Sequence, residues 1–424
     1  MDGARILHRI RHLGVISEDA PRLTRTYLTD THRQANELVA TWMREAGMAV
    51  RTDAVGNIIG RYEGRTPGLP ALMIGSHLDT VRDAGKYDGM LGVVVGIECV
   101  AALHAEHERK GFAVEVVGFA NEEGARFGAT LTGSRAVAGT LDAAQLESRD
   151  AHGVTMAEAM RDFGLDPAKI GEAARRRNEL LAYVEVHIEQ GPVLEARDLS
   201  VGVVTAISGA TRLMIELTGV AGHAGTVPMT QRHDALAAAA EAILTVERHC
   251  QGTAGLVGTV GRIEALPGAI NVIPGVARFT IDIRAEQDAD REAAVSRVTD
   301  DLIQIAERRR IGVDVKKLHE ASSCLCAPPL MAALERAVDV IGGGKHFEAL
   351  GLKPSFESMR LPSGAGHDAM AIAAITDVAM LFVRCKAGIS HNPAESVSPA
   401  DALTAAQTLR QFIRELRPPR RAAP

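Results

Sequence analysis

Aromatic residues are scarce in this chain of 424 residues, at 3% with a single Trp, so its interior has to be built mainly from Ala, Val, Leu and Ile. Cysteine is scarce as well. The five cysteines are an odd number in a chain that is 46% hydrophobic, so no disulfide framework is needed and a reducing cytoplasm is the expected location. Long apolar runs are missing. The stretch from Val93 to Leu103 is too short and too interrupted to span a bilayer, and the N-terminal residues lack the apolar core of a signal peptide. A strong charge of either sign is absent too: 47 Lys and Arg stand against 53 Asp and Glu, a net charge of −6. Such a surface has no general attraction for nucleic acid or an anionic membrane, and neither is expected as a partner. There is no internal repeat. Cys324-x-Cys326 has the wrong spacing for a CxxC pair, Gly342-Gly343-Gly344-Lys345 lacks the strand and Ser/Thr of a phosphate loop and reads as a helix stop, and the closing PPRRAAP reads as a frayed tail.

The length suits two packed domains of roughly 100 to 300 residues each. Two helices occupy the first fifty residues. Short apolar strands follow in MAVRTD, NIIGRYE and LPALMIGSH, then a helix from Met90, then the almost wholly apolar FAVEVVGFA at 112–120 and, further on, LLAYVEVHI. Apolar strands alternating with helices predict an α/β domain with a mixed, largely parallel sheet covered by helices on both faces. After Ile207 the style changes. RLMIELTGV, DALAAAAEAILTVERHC, LVGTVGRIEA, VARFTIDIRA, a helix over 289–310 and IGVDVKKLHE give the order β-α-β-β-α-β, the pattern of an α+β ferredoxin-like layer. Residues 210–322 are therefore expected to form an inserted domain, with 1–209 and 323–424 composing the discontinuous domain around it.

Chemistry-bearing side chains recur where apolar strands end. His77 and Asp79 follow ALMIGS, with Asp88 in a Gly-bracketed loop shortly after; Asn121, Glu122 and Glu123 follow FAVEVVGFA; His187, Glu189 and Gln190 close LLAYVEVHI; and His391 follows VAMLFVR across a turn. Open α/β sheets present ligands at such ends. Imidazoles and carboxylates suit a borderline metal such as zinc, and Asp79 is available to fix the His77 ring. Two adjacent carboxylates at 122 and 123 need a proton or cation for compensation. His77, Asp88, Glu123, His187 and His391 suffice for two metals if Asp88 bridges, with Glu122 free to take a proton from a metal-activated water. In the expected insert, His223 lies in a Gly-rich turn, Asn271 in another, and Arg284 at a strand end. A donor His, a donor Asn and a cationic fork fit an anionic substrate with a developing oxyanion. The Gly-rich PSGAGHDAM, with Gly364 and His367, presents backbone N–H groups near a helix start.

Taken together, SHLDT with KYDG, NEEGARF, HIEQGPVLE, GVAGHAGTVPM, GAINVIPG, FTIDIR, PSGAGHDAM and GISHNPAE resemble, in order and over nearly the whole chain, the hydantoinase/carbamoylase branch of the M20 metallopeptidase superfamily. The resemblance implies an aminopeptidase-like catalytic domain whose ligands are His77, Asp88, Glu123, His187 and His391, with Asp88 bridging. It also implies Glu122 as general base, Asp79 as orienter of His77, and His223 as stabiliser of the tetrahedral intermediate. Asn271 and Arg284 would hold the substrate acid, with Gln190, Gly364 and His367 around the pocket. Two divalent ions are implied, zinc or manganese first and cobalt or nickel as alternatives, together with a homodimer paired through the inserted domain. The implied reaction is hydrolysis of a ureido C–N bond in a small anionic substrate, releasing ammonia and carbon dioxide. Allantoate comes first, because Gln190, Asn271 and His223 could satisfy a second ureido group. The alternatives are an N-carbamoyl-L-amino-acid hydrolase or β-ureidopropionase and, more distantly, an M20 exopeptidase or deacylase.

Overall fold

The structure, a computed structural model, describes residues 1–342 and 358–417. The Gly343 to Lys345 part of the expected helix stop and the PPRRAAP tail lie outside the described residues. The chain begins with helices α1 (Gly3–Leu13) and α2 (Asp30–Glu45), then strands β1 (Ala49–Thr52), β2 (Ile58–Tyr62) and β3 (Ala71–His77). Helix α3 (Met90–Ala105), β4 (Ala113–Phe119), α4 (Thr132–Ala138), α5 (Met156–Phe163), β5 (Leu180–Ile188), α6 (Val193–Ala196) and β6 (Val201–Ile207) follow. Next come β7 (Gly209–Thr218), β8 (Gly222–His223), α7 (Ala235–Gln251), β9 (Leu256–Leu266), β10 (Val272–Ile273), β11 (Val276–Ala285), α8 (Asp288–Arg309), β12 (Gly312–Ala321) and β13 (Cys324–Leu325). The rest of the described chain holds α9 (Pro328–Gly342), β14 (Arg360–Ser363), α10 (Ala369–Ile372), β15 (Val378–Val383) and α11 (Pro399–Glu415).

These elements form two compact units, one of residues 1–205, 326–361 and 366–424, the other of 206–325 and 362–365. The main sheet has the order β1-β2-β4-β3-β5-β15-β6-β13, with β14 beside β6. At its centre β4, β3, β5 and β15 run parallel. Every residue of β3, β4 and β15 is buried, which is why their sequences read as continuous apolar runs instead of alternating ones. Helix α3 packs on β3, β4 and β5 and is apolar almost all round. A side chain at its Gly92 would lie 2.0 Å from the Val186 carbonyl oxygen, so glycine is what lets helix and strand come this close.

The expectation of a largely parallel sheet is corrected by the pairings outside that centre. β1–β2, β2–β4, β6–β15 and β6–β13 are all antiparallel, so antiparallel pairings are the more numerous. The reason is local. An apolar run marks burial and not direction: β6, VGVVTAI, is nearly as buried as the central four yet runs antiparallel to β15, and β1 and β2 are joined by a tight hairpin. Asp53 closes that hairpin, its Oδ1 accepting from the Val55 and Asn57 N–H groups, and a connection this short can only reverse the chain.

The second unit carries a four-stranded antiparallel sheet in the order β12-β7-β11-β9. Its chain order is the split β-α-β arrangement of a ferredoxin-like layer. One face of Leu213, Ile215, Leu217, Phe279, Ile281 and Ile283 is covered by α7 and α8 through small residues, Ala235, Ala238, Ala239 and Ala242 on α7 and Ala294 on α8 among them. An aromatic-poor sequence achieves a dense core here by close approach of Ala-rich helices.

Candidate metal centre

Three parallel strands of the first unit end side by side, and their ends deliver the candidate ligands. His77 is the last residue of β3, Glu122 and Glu123 follow β4, and His187 is the penultimate residue of β5. The loop before α3 brings Asp88, and the loop after β15 brings His391. These five ligand candidates and Glu122 form three overlapping groups: His77, Asp88 and His187; Asp88, Glu123 and His391; and His77, Glu122 and Glu123. Within each group the potential ligand atoms lie within 4.8 Å of one another. Asp88 belongs to two of the groups. Its Oδ1 lies 3.0 Å from His187 Nε2 and 3.4 Å from His77 Nε2, while its Oδ2 lies 3.4 Å from His391 Nε2. On the far side His391 Nε2 is 3.5 Å from Glu123 Oε1.

The tautomers are set by the backbone. His77 Nδ1 lies 2.9 Å from the Asp79 carbonyl oxygen and His187 Nδ1 2.9 Å from that of Ile188. A carbonyl only accepts, so both Nδ1 atoms carry protons and Nε2 is the nitrogen each ring turns toward Asp88. Lone pairs facing a carboxylate across 3.0 to 3.4 Å repel unless a cation or proton lies between them. His187 Nε2 is also buried without a hydrogen-bond partner. The donor set therefore fits divalent ions: two imidazoles and a carboxylate on one side, one imidazole and two carboxylates on the other. Two such clusters sharing Asp88 constitute a binuclear metal site.

The electrostatics agree. Burial pushes the Glu122 carboxyl well above the usual range, His77 acts against this, and Glu123, Asp368 and Asp79 add to it. Burial also raises Glu123. For Asp88 burial is outweighed by His187, His391 and His77, which hold it well below the usual range, and the His77 ring is raised in turn despite its own burial. So many carboxylates at one buried point need compensating positive charge.

Asp79 is placed differently from the sequence expectation. Its backbone oxygen, not its carboxylate, accepts the hydrogen bond from His77 Nδ1–H; the carboxylate sits 4.0 Å from that nitrogen. The carboxylate instead accepts from the backbone N–H groups of Glu122 and Glu123, at 3.0 and 3.1 Å. One loop thus orients a ligand and fixes the strand end that carries both glutamates. Asn121 supports this, adopting a left-handed φ of 59° while its side chain donates to Ala129 O and Thr132 Oγ1.

Gln190 meets this centre directly, donating to Asp88 Oδ2 at 2.8 Å. His367 is buried and packs edge-on against the His187 ring with centroids 4.5 Å apart. Burial first, then the neighbouring His187 charge, lower its pKa well below the ordinary value, so it sits there neutral. Three further residues were not singled out from the sequence. Glu395 Oε1 accepts from the N–H groups of Tyr87 and Asp88, at 2.6 and 3.0 Å. Ser390 Oγ donates to Asp88 Oδ2 at 2.6 Å. Glu185 accepts from Ser76 Oγ and from the Ala369 N–H that opens α10. Only Glu185 leaves a signal in the sequence, since its spacing of two from His187 puts both on one face of β5.

The remaining expected residues belong to the second unit. His223 and Asn271 sit on the β8–β10 ribbon, where His223 pairs with Val272 and the Asn271 carbonyl accepts from Ala224 N–H. His223 Nδ1 accepts from Gly225 N–H, which leaves its Nε2–H as an exposed donor. Arg284 gives two parallel hydrogen bonds to Asp282 and a third to the Gly364 carbonyl.

Residues 73–415 match the model of peptidase family M20/M25/M40. An N-carbamoyl-L-amino acid amidohydrolase of Geobacillus stearothermophilus is 40% identical over 417 residues, covering 98% of this chain and 99% of the relative. A probable allantoate deiminase of Oryza sativa subsp. japonica is 41% identical over 431 residues, covering 96% of this chain and 87% of the relative. Among solved structures, an amidase of the hydantoinase/carbamoylase family from Burkholderia multivorans superposes with a TM-score of 0.88 at 31% identity, over 97% of both chains.

Proposed function

This chain belongs to peptidase family M20/M25/M40, in its hydantoinase/carbamoylase branch, and from that premise we propose that it hydrolyses the ureido C–N bond of a small carboxylate substrate, allantoate in the first place. The observation that carries the reading is Asp88 facing two imidazole Nε2 atoms with Oδ1 and a third with Oδ2, with Glu122 Oε2 4.0 Å from His77 Nε2. Divalent ions held by His77, Asp88, Glu123, His187 and His391 would acidify a water and polarise the substrate carbonyl. Zinc or manganese suits this mixture of imidazole and carboxylate best.

Within that frame Glu122 takes the proton of the attacking water and passes it to the departing nitrogen as the C–N bond breaks. Ammonia leaves, and the carbamate that remains loses carbon dioxide. Asp79 keeps Glu122 in place through the backbone and His77 in its tautomer. On the second unit, the His223 Nε2–H suits a developing oxyanion, while Asn271 and the N–H groups of Arg284 left over from Asp282 suit a substrate carboxylate. The same unit is the one we assign to dimerisation, since β9 is an edge strand with Val257 and Ile263 exposed along it. No described helix is long and apolar enough to cross a membrane, and all five cysteine side chains are buried; a cytoplasmic enzyme accords with both.

The second reading, an N-carbamoyl-L-amino-acid hydrolase, shares every one of these steps, and the relative of that name from Geobacillus favours it as strongly as the rice relative favours allantoate. Ammonia release by the metal-reconstituted protein on allantoate, N-carbamoyl-L-amino acids and N-carbamoyl-β-alanine separates them. The expected result is a preference for allantoate of at least about tenfold in kcat/KM, equivalent to about 1.4 kcal/mol of differential transition-state binding. A preference for a carbamoyl amino acid replaces the substrate and keeps the mechanism, and no ammonia from any of them sinks the reading.

A further inference from the structure

The two oxygens of Asp88 stand in unequal surroundings. Among the described residues Oδ1 faces only His187 Nε2 and His77 Nε2, at 3.0 and 3.4 Å, both of them candidate ligands whose Nδ1 is held by a backbone carbonyl. Oδ2 is committed. Ser390 Oγ donates to it at 2.6 Å and Gln190 Nε2 at 2.8 Å, and these two donors are themselves 3.0 Å apart. A carboxylate oxygen has two lone-pair sites, and here both are filled by hydrogen bonds. The group Asp88, Glu123 and His391 can take an ion through Oδ2 only if one donor gives way. The other side of the centre has no such obstacle, and its imidazoles are almost wholly buried and locked by backbone carbonyls, whereas the His391 side chain is 50% exposed.

We propose that Ser390 and Gln190 compete with the cation for Asp88 Oδ2, so that the Asp88, Glu123 and His391 site fills second and more weakly than the Asp88, His77 and His187 site. This rests on the two-metal reading above and adds an order and an asymmetry to it. Ser390 is the donor that yields: it precedes His391, which holds a left-handed φ of 54°, and its hydroxyl lies 3.0 Å from the Nε2 of Gln190, an amide whose own Oε1 is buried without a partner. Ser390 is thus a positioning residue that sets the affinity of one metal site and touches neither ion nor substrate.

The test is a titration of the full chain, stripped of metal, with Zn2+ by calorimetry and with Co2+ by absorption. The expected result is two phases, of which His391→Ala abolishes the weaker. Ser390→Ala is expected to tighten that weaker phase about tenfold or more, the scale of one hydrogen bond to a charged group, and to leave the tighter phase unchanged. Gln190→Leu, which removes the other donor, should move the same phase in the same direction, so a folding defect in either variant does not decide the matter. A weaker phase that is unchanged or further weakened in both variants overturns the competition while leaving two ions in place. Uptake of a single ion by the unaltered protein overturns the two-metal reading, and the competition with it.

Discussion

Glu122→Gln is expected to reduce hydrolysis by about 100- to 10,000-fold, the usual contribution of a positioned general base, while the protein keeps both metal ions. The amide matches the carboxylate in shape and cannot take a proton. Nothing else about the residue has to change, because its backbone is held from outside: Asp79 Oδ1 accepts its N–H, and Asp79 Oδ2 accepts that of Glu123. Metal content is the informative second readout, since Glu122 also lies within ligand distance of His77 and Glu123. Loss of an ion along with activity would make Glu122 a ligand. Retained turnover would remove it from the proton path altogether.

Asp88→Ala should be more damaging to the site itself. The substitution takes a ligand from both clusters at once and leaves His187 Nε2, which has no hydrogen-bond partner even with Asp88 in place, facing an empty space. Replacing an outer partner of a metal ligand typically costs 10- to 100-fold in affinity, so removal of a shared ligand is expected to exceed about 100-fold for the first ion and to abolish the second. Elemental analysis after exhaustive dialysis measures this. A variant that still retains two ions would show that Asp88 does not join the clusters.

Both expectations draw on residues that the sequence makes visible. Parallel strands buried on both faces read as unbroken apolar runs, so the places where they stop are sharp. His77, Glu122 with Glu123, and His187 lie at three of those stops, where adjoining strand ends converge in space. The outer strands are less legible. β1, β2 and β13 are short, while β6 is as long as β3 and β4 and still runs antiparallel to β15; strand direction leaves the hydrophobic pattern unchanged, and so the sheet reads as more parallel than it is. The resemblance gave Asp79 the task of orienting His77, but a sequence cannot distinguish a carbonyl from a carboxylate as the group that performs it.

Residues that act through the backbone or across great separations are the hardest to find. Glu395 reaches the Asp88 N–H over 307 positions, and Ser390 reaches its carboxylate over 302. Glu395 is 5% exposed, and burial together with the nearby Asp88 raises its pKa to about 7. Nothing local in AGISHNPAE announces that one short segment supplies a candidate ligand, a hydroxyl to the opposing carboxylate and an acceptor for the loop beneath it. Gly85 records the contact indirectly: a side chain there would meet the Glu395 carboxyl group at 2.3 Å.

The most direct measurement is ammonia release from allantoate and the N-carbamoyl panel by the chelator-stripped protein as divalent metal is added back, with bound ions counted at each step. The expected result is no hydrolysis in the stripped state and full recovery as occupancy reaches two ions per chain. Hydrolysis that survives complete removal of metal would contradict the account at its centre.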